Sequence, residues 1–330
     1  MQHRSAAFLL LAIPFLTSLG WTGGGFAQTK IPRVGIITVG TATDDPGAGY
    51  RLEVVRRGLT NQGWIDGRTV SFEMRNARGD PSRFAAAAVE LVRLKVDVIW
   101  ADSAPALRAS YAATHAIPIV AVDFTTDPVA EGYAQSYGRP GGNVTGVFLD
   151  APEFSGKWLD LLKAVVPELS RVAVLWDPSP GDAHVRALQA IAPSFGVTLQ
   201  VIEVRKPEDI DAAASGFRGR PQALITLPSP MMVAENARVA RLAMKQRLPA
   251  TSSFRVFVEA GGLVSYGPEM ASVTERGAAF VTKILRGASP GDLPIERPTK
   301  FELVVNLKAA KALGLTIPES TLLGADEVIR

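Results

Sequence analysis

The stretch VDVIWADSAPALRASYAATHAIPIVAVD, residues 96–123, decides the fold class. Two apolar runs, VDVIWA (96–101) and IPIVAV (117–122), flank a segment of helical character at 104–113. The runs are short, rich in Val, Ile and Ala, and show little polar alternation, as strands buried on both faces do in parallel sheets covered by helices. The same unit recurs outward in both directions. Further runs are RVGIIT (33–38), TVSFEM (69–74), RVAVLW (171–176), VTLQVIEV (197–204), QALITL (222–227) and GLVSYG (262–267). Helical segments are expected at 48–62, 81–94, 152–166, 182–194, 207–217, 231–246 and 269–286. Asp80-Pro81 and Asp127-Pro128 place a capping residue before a proline suited to a first helical turn. Gly63, Gly196 and Gly287 stand where helices should stop. Strand–helix alternation of this regularity predicts an α/β fold built from βαβ units with right-handed crossovers.

A chain of 330 residues exceeds what one core usually supports, so two domains are expected. The strand–helix series reads as two copies of one plan, Ile31 to about Val147 and Ser170 to about Ser253. Three segments are candidates for crossing between them: Arg139-Pro-Gly-Gly-Asn143 with VTGVF, Gly261-Gly262 with LVSYG, and the Pro/Gly-rich stretch 290–298. The expected lobes are 28–148 plus 258–288, and 149–257 plus 289–330. Residues 1–27 precede them: a basic start (Met1 to Arg4), an apolar run from Ser5 to Leu19 and a small-residue exit ending at Ala27. These are the parts of a secretory signal cleaved after Ala27, and the run is short of the roughly 20 residues that span a bilayer. An exported, periplasmic protein without stable membrane insertion is the expectation.

Composition narrows the chemistry. The chain has no cysteine, which excludes disulfides, thiolate metal sites, a Cys nucleophile and a lipidated N-terminal cysteine. The formal net charge is +3 and is spread evenly, with no basic stripe, so no nucleic-acid partner is expected. The histidines are His3, His115 and His184, too scattered for a typical metal site. His184 is expected to face solvent from a first helical turn, and His115 to sit at a helix end. No phosphate-binding glycine motif and no Gly-x-Ser-x-Gly elbow is present. No cofactor and no metal is expected. Asp44-Asp45 reads as a solvated turn, and the sequon Asn143-Val144-Thr145 as structural.

The strand ends are rich in hydroxyls. They read Thr38-Val-Gly-Thr41, Ala101-Asp-Ser103, Asp123-Phe-Thr125-Thr126-Asp127, Trp176-Asp-Pro-Ser179, Leu227-Pro-Ser229 and Thr251-Ser252-Ser253-Phe254. Ligands of open α/β sheets lie outside the carboxyl ends of the strands. Each hydroxyl there is either a helix cap or a ligand contact. Together with unpaired helix amides they suit a carboxylate or another small polar group. Trp176, Phe254 and Tyr266 either stack on an apolar part of the ligand or fill the core. The Asp127 carboxylate is either a cap or a partner for a ligand ammonium.

Several segments carry a family resemblance: 56–101 (RRGLTNQGW through VDVIWA), IPIVAVDFTTDPVAEG (117–132), GRPGGNVTGV (138–147) and the ending KFELVVNLKAAKALGLTIPESTLLGADEVI (300–329). The chain resembles the exported substrate-binding proteins of ABC importers, in the subgroup associated with tryptophan, tyrosine or uncharacterised solutes. The resemblance implies a type I periplasmic binding fold, with two Rossmann-like lobes joined by three hinge segments. It also implies a monomeric, non-enzymatic receptor that captures a small molecule, such as an amino acid or an aromatic or carboxylate compound. The receptor would deliver that ligand to membrane permease and ATPase subunits. Family contacts map onto Thr38 to Thr41, Ser103, Thr125 to Asp127, Ser229 and Ser252 to Phe254. The chain departs from amino-acid-binding members at Leu227-Pro-Ser-Pro230, where those carry a Thr-Asp-Asn type of sequence. Two other functions remain open on the residues alone. One is an exported α/β enzyme using Asp127 or Asp102 as base, and the other is a ligand-sensing partner of a membrane receptor.

Overall fold

The computed structural model of the protein describes residues 31–38, 46–77, 80–123, 125–148 and 152–330. The expected signal (1–27), Thr41 and Asp44-Asp45 lie outside the described residues. Alternation along buried strands sets the architecture. In the first lobe, Val34, Ile36, Val98, Trp100, Val120 and Val122 share one apolar cluster with Val273, Ala278 and Val281. Their sequence neighbours Ile37, Ile99, Ala101, Ile119 and Ala121 join another cluster, with Phe84, Leu91 and Leu107. Successive side chains point to opposite faces, so a strand apolar at every position must be covered on both sides.

The covering follows from the element order. The first lobe holds strands β1 (Arg33–Thr38), β2 (Ser71–Asn76), β3 (Val98–Ala101), β4 (Ile119–Asp123) and β5 (Val144–Phe148), with helices α1 (Pro46–Asn61), α2 (Pro81–Arg93) and α3 (Ala104–Ala113) between them. The strands form a wholly parallel sheet of order β2-β1-β3-β4-β5. The second lobe begins with α4 (Pro152–Val165), β6 (Arg171–Trp176), α5 (Ala183–Ile191), β7 (Thr198–Glu203), α6 (Pro207–Ala212) and β8 (Ala223–Thr226). It continues through α7 (Pro230–Ala234), α8 (Asn236–Gln246), β9 (Ala250–Ser252), α9 (Arg255–Glu259) and β10 (Val264–Pro268). After α10 (Met270–Leu285) come β11 (Phe301–Asn306), α11 (Leu307–Leu313), α12 (Glu319–Leu323) and β12 (Glu327–Ile329).

Its seven-stranded sheet runs β12-β11-β10-β9-β8-β6-β7. Read from the other edge, β7-β6-β8-β9-β10 repeats the order of the first sheet, so the two lobes are copies of one topology. β11 and β12 are additions, and the β10–β11 pair is the antiparallel one among parallel neighbours. Caps fall where the sequence places them. Asp80 accepts the amide of Ser82 at 2.9 Å, and Gly63, Gly196 and Gly287 all have positive φ. The Asn143 side-chain amide donates to the carbonyls of Thr114 and Ile117, a structural role.

Strand pairing shifts the expected lobe limits. Residues 258–268 were expected in the first lobe, but β10 pairs with β9 and β11 and so belongs to the second sheet. Residues 289–298 were expected in the second lobe, but this stretch lies along β5 of the first. Ile295 donates to the Tyr137 carbonyl, Glu296 to that of Gly146, and Phe148 to that of Glu296. The chain therefore changes sheets between β5 and α4, between β10 and α10, and ahead of β11. Helix α10 returns to the first lobe, against α1 and strands β3 to β5. Two further expectations change. Asp127-Pro128 opens a turn rather than a helix, since the amides of Tyr133 and Ala134 both return to the Pro128 carbonyl. His184 is buried, with its ring 6.2 Å from that of Trp158, because its side of α5 packs on α4.

Candidate functional site

In a sheet of order 2-1-3-4-5 the strands diverge at a switch point, and a crevice opens at their carboxyl ends. Both sheets place such ends around one cleft of about 410 Å³. The first lobe contributes Asp102, Ser103, Ala104 and Pro105 after β3, and Val122, Asp123 and Thr125 around the end of β4. The second contributes Pro180 after β6, Pro228, Ser229, Pro230 and Val233 after β8, and Phe254 after β9.

Each strand end turns into its helix in a way that sets what it can offer. Ser103 caps α3, its Oγ accepting the Ala106 amide at 3.3 Å. Ser229 caps α7, its Oγ accepting the Met232 amide at 3.0 Å. The carbonyls of the two serines take the amides of Leu107 and Val233. In both first turns a proline follows closely, Pro105 and Pro230, and has no N–H to give. The helix ends facing the cleft are thus largely consumed by their own caps. Each serine hydroxyl keeps its proton for a ligand acceptor.

The polar groups are concentrated on one side. Asp102 and Asp123 are 3% and 1% exposed. Asp123 Oδ1 accepts the Thr125 amide at 2.8 Å and its hydroxyl at 3.0 Å. Its Oδ2 is buried without a hydrogen-bond partner. Burial pushes the Asp123 carboxyl above the usual carboxylate range, opposed by Thr126 and Thr125. No Lys, Arg or His stands among the described lining residues. The second lobe adds prolines, Val233 and the ring of Phe254, with Ser229 as its hydroxyl.

Of the residues expected from sequence, the cleft brings together Ser103, Thr125, Ser229 and Phe254. The others stand in different surroundings. Thr38 is buried at the end of β1, with its carbonyl taking the Ala77 amide. Thr126 lies beside Asp123. Asp127 is exposed, and its carboxylate accepts the amides of Val129 and Ala130. Trp176 donates through Nε1 to the Gly181 carbonyl at 3.0 Å. The amide and hydroxyl of Ser179 both donate to Asp177. Ser252 is buried within β9, in register with Ser265 of β10. Tyr266 stacks on Phe301 with ring centres 5.8 Å apart. Asp123 and the prolines were not among the expected site residues. The signal was present in IPIVAVD, where a carboxylate ends a strand that is otherwise apolar.

Two sheets of repeated order, joined by three passes and enclosing a cleft at their strand ends, are the geometry of a solute-binding protein, and the matches agree. The family model described as ABC transporter substrate binding protein matches residues 37–329. The chain belongs to that family. It is 26% identical over 263 residues to a tyrosine-binding protein of Clostridioides difficile (strain R20291), covering 78% of this chain and 75% of that one. A crystal structure of the ABC domain in complex with L-Trp from Streptococcus pneumoniae is 25% identical, with TM-score 0.81, covering 90% of this chain and 99% of that one. A conserved domain protein from Vibrio cholerae O1 biovar El Tor strain N16961 is also 25% identical, with TM-score 0.82, covering 91% and 100%. As an ABC substrate-binding protein, the chain is a solute-binding receptor for ABC transport with the type I periplasmic binding fold.

Proposed function

We propose that the receptor captures a small molecule in the cleft between its two lobes and releases it to the permease of an ABC importer on the outer side of the membrane. The observation that carries this is the cleft itself, formed jointly by the strand ends of two sheets with one repeated topology. Such a site needs no catalyst. It needs only that the closed arrangement of the lobes bind solute better than the open one. We infer a monomeric, exported and non-enzymatic protein.

The relatives that bind tyrosine and L-Trp point to a solute with an aromatic or apolar body. The prolines, Val233 and Phe254 would cover such a body. Thermal unfolding against a panel of amino acids, amines, small acids and aromatics tests this. A cognate solute at about 100 times its dissociation constant should add roughly 2.7 kcal/mol of stability. A panel that leaves the transition unmoved counts against the receptor reading.

A further inference from the structure

The first-lobe half of the cleft carries both of the carboxylates in its described lining. A carboxylate desolvated to the extent of Asp123 keeps its charge only when a partner answers it, and otherwise takes up a proton. Thr125 supplies two donors to Oδ1. Oδ2 is left without one, on a side chain that lines the cleft and is 1% exposed. Asp102 adds a second carboxylate to the same wall. A solute carboxylate would meet the desolvated Asp123 carboxylate, and no Lys, Arg or His stands among the described lining residues. At the helix ends the amides of Ala106 and Met232 go to the Ser103 and Ser229 side chains, and Pro105 and Pro230 have none to give. The donors left to it are chiefly the two serine hydroxyls, neutral groups against a buried carboxylate.

We propose that the cleft selects an organic cation: an ammonium group held by Asp123 and Asp102, carried on an apolar body that rests against Pro228, Val233 and Phe254. An ammonium brings one positive charge and three N–H donors, so it answers the unpartnered oxygen and the charge together. This inference rests on the receptor reading and names its solute class.

Three probes sharing one body and differing in charge test it: phenethylamine (cation), L-phenylalanine (zwitterion) and 3-phenylpropionate (anion). They are titrated calorimetrically into the full-length protein at one pH and salt concentration. The amine is expected to bind at least about tenfold more tightly than the acid, with the amino acid between them. Asp123→Asn keeps the shape and the oxygen that Thr125 uses. It should weaken the amine roughly 30-fold or more, the loss typical of removing one partner of a buried charged pair, while the variant unfolds at no lower temperature than the parent. Tighter binding of the acid or the amino acid overturns the inference, as does amine binding unchanged in the Asn variant. Should none of the three bind while other solutes of the thermal panel do, cations among them support the inference. Anions or uncharged solutes overturn it and leave the receptor reading standing. A panel that shifts nothing removes both.

Discussion

The two walls of the cleft share a topology and differ in chemistry. β3 and β4 of the first lobe end in buried carboxylates, Asp102 and Asp123. Strands β8 and β9 of the second end in Pro228-Ser229-Pro230 and Phe254. The difference is sharpest in two matching turns. Asp123-Phe-Thr125 and Asp177-Pro-Ser179 each fold a hydroxyl and an amide back onto the aspartate. In the second lobe both Asp177 oxygens are used, one by the Ser179 amide and one by its hydroxyl. In the first, both donors go to Oδ1 and Oδ2 is left over. One turn gives each aspartate oxygen a partner, and in the other Oδ2 stays buried without one. Repetition supplies a two-walled scaffold, and small departures from it supply recognition.

The shared part of the comparison breaks most readily at its glycines. In β5, Gly146 has φ 137°, and a Cβ there would stand 2.0 Å from the Ala121 carbonyl oxygen. In β10, a Cβ on Gly267 would stand 2.1 Å from the Ser253 carbonyl oxygen. Both strands lead into passes between the lobes, and both backbones sit too close for any side chain. Gly146→Ala and Gly267→Ala are each expected to cost about 3 kcal/mol or more in urea unfolding, from overpacking and, at Gly146, backbone strain. A loss under about 1 kcal/mol in either would undo the equivalence.

The two serine caps are predicted to weigh alike in folding. Ser103→Ala and Ser229→Ala should each cost about 1 kcal/mol, the usual worth of an N-cap side chain. A cost confined to one lobe would separate them.

The same substitution in the two turns should act with opposite sign. Asp177→Asn disturbs a carboxylate whose oxygens are both hydrogen-bonded and should destabilise by about 0.5–1.5 kcal/mol. Asp123→Asn removes a desolvated charge and should stabilise the solute-free protein at neutral pH. The Asp123 carboxyl titrates higher folded than unfolded. Its stabilising share is therefore complete below the unfolded value, near 3.9, and is lost as pH rises through the folded one. Of the titratable groups nearby, Tyr133 interacts electrostatically with Asp123 as well as with Arg108 and Glu131, and Asp102 lines the same cleft. Melting temperature against pH should flatten in Asp123→Asn on the acid side of neutrality. An unchanged slope would mean that Asp123 is not the titrating group.

The sequence discloses the repeated plan because it is local. Apolar runs without alternation mark doubly covered strands, and the cap at Asp80 and the helix-ending glycines are written within a few residues. What stays hidden depends on distant pairing. The lobe limits move because β10 pairs with β11, more than thirty residues on, and because 293–296 hydrogen-bonds to β5. Gly261-Gly262 reads as a pass between lobes, yet it turns α9 into β10 and packs under the Phe257 ring. His184 is buried because α5 lies on α4, which no local pattern declares. Hydroxyls at strand ends are visible as a class. Which of them line the cleft, such as Ser103, and which fold onto a neighbouring aspartate, such as Ser179, is decided by the turns.

Native mass spectrometry of the protein with the tightest-binding solute of the panel, beside a Val233→Trp variant, tests most directly that solute sits between the two walls. Val233 lines the cleft from the second lobe, and an indole there would take up cleft space while leaving both carboxylates in place. The account predicts one solute per chain in the parent and none in the variant, with the variant still folded. Equal occupancy of both proteins would place the solute elsewhere and contradict it.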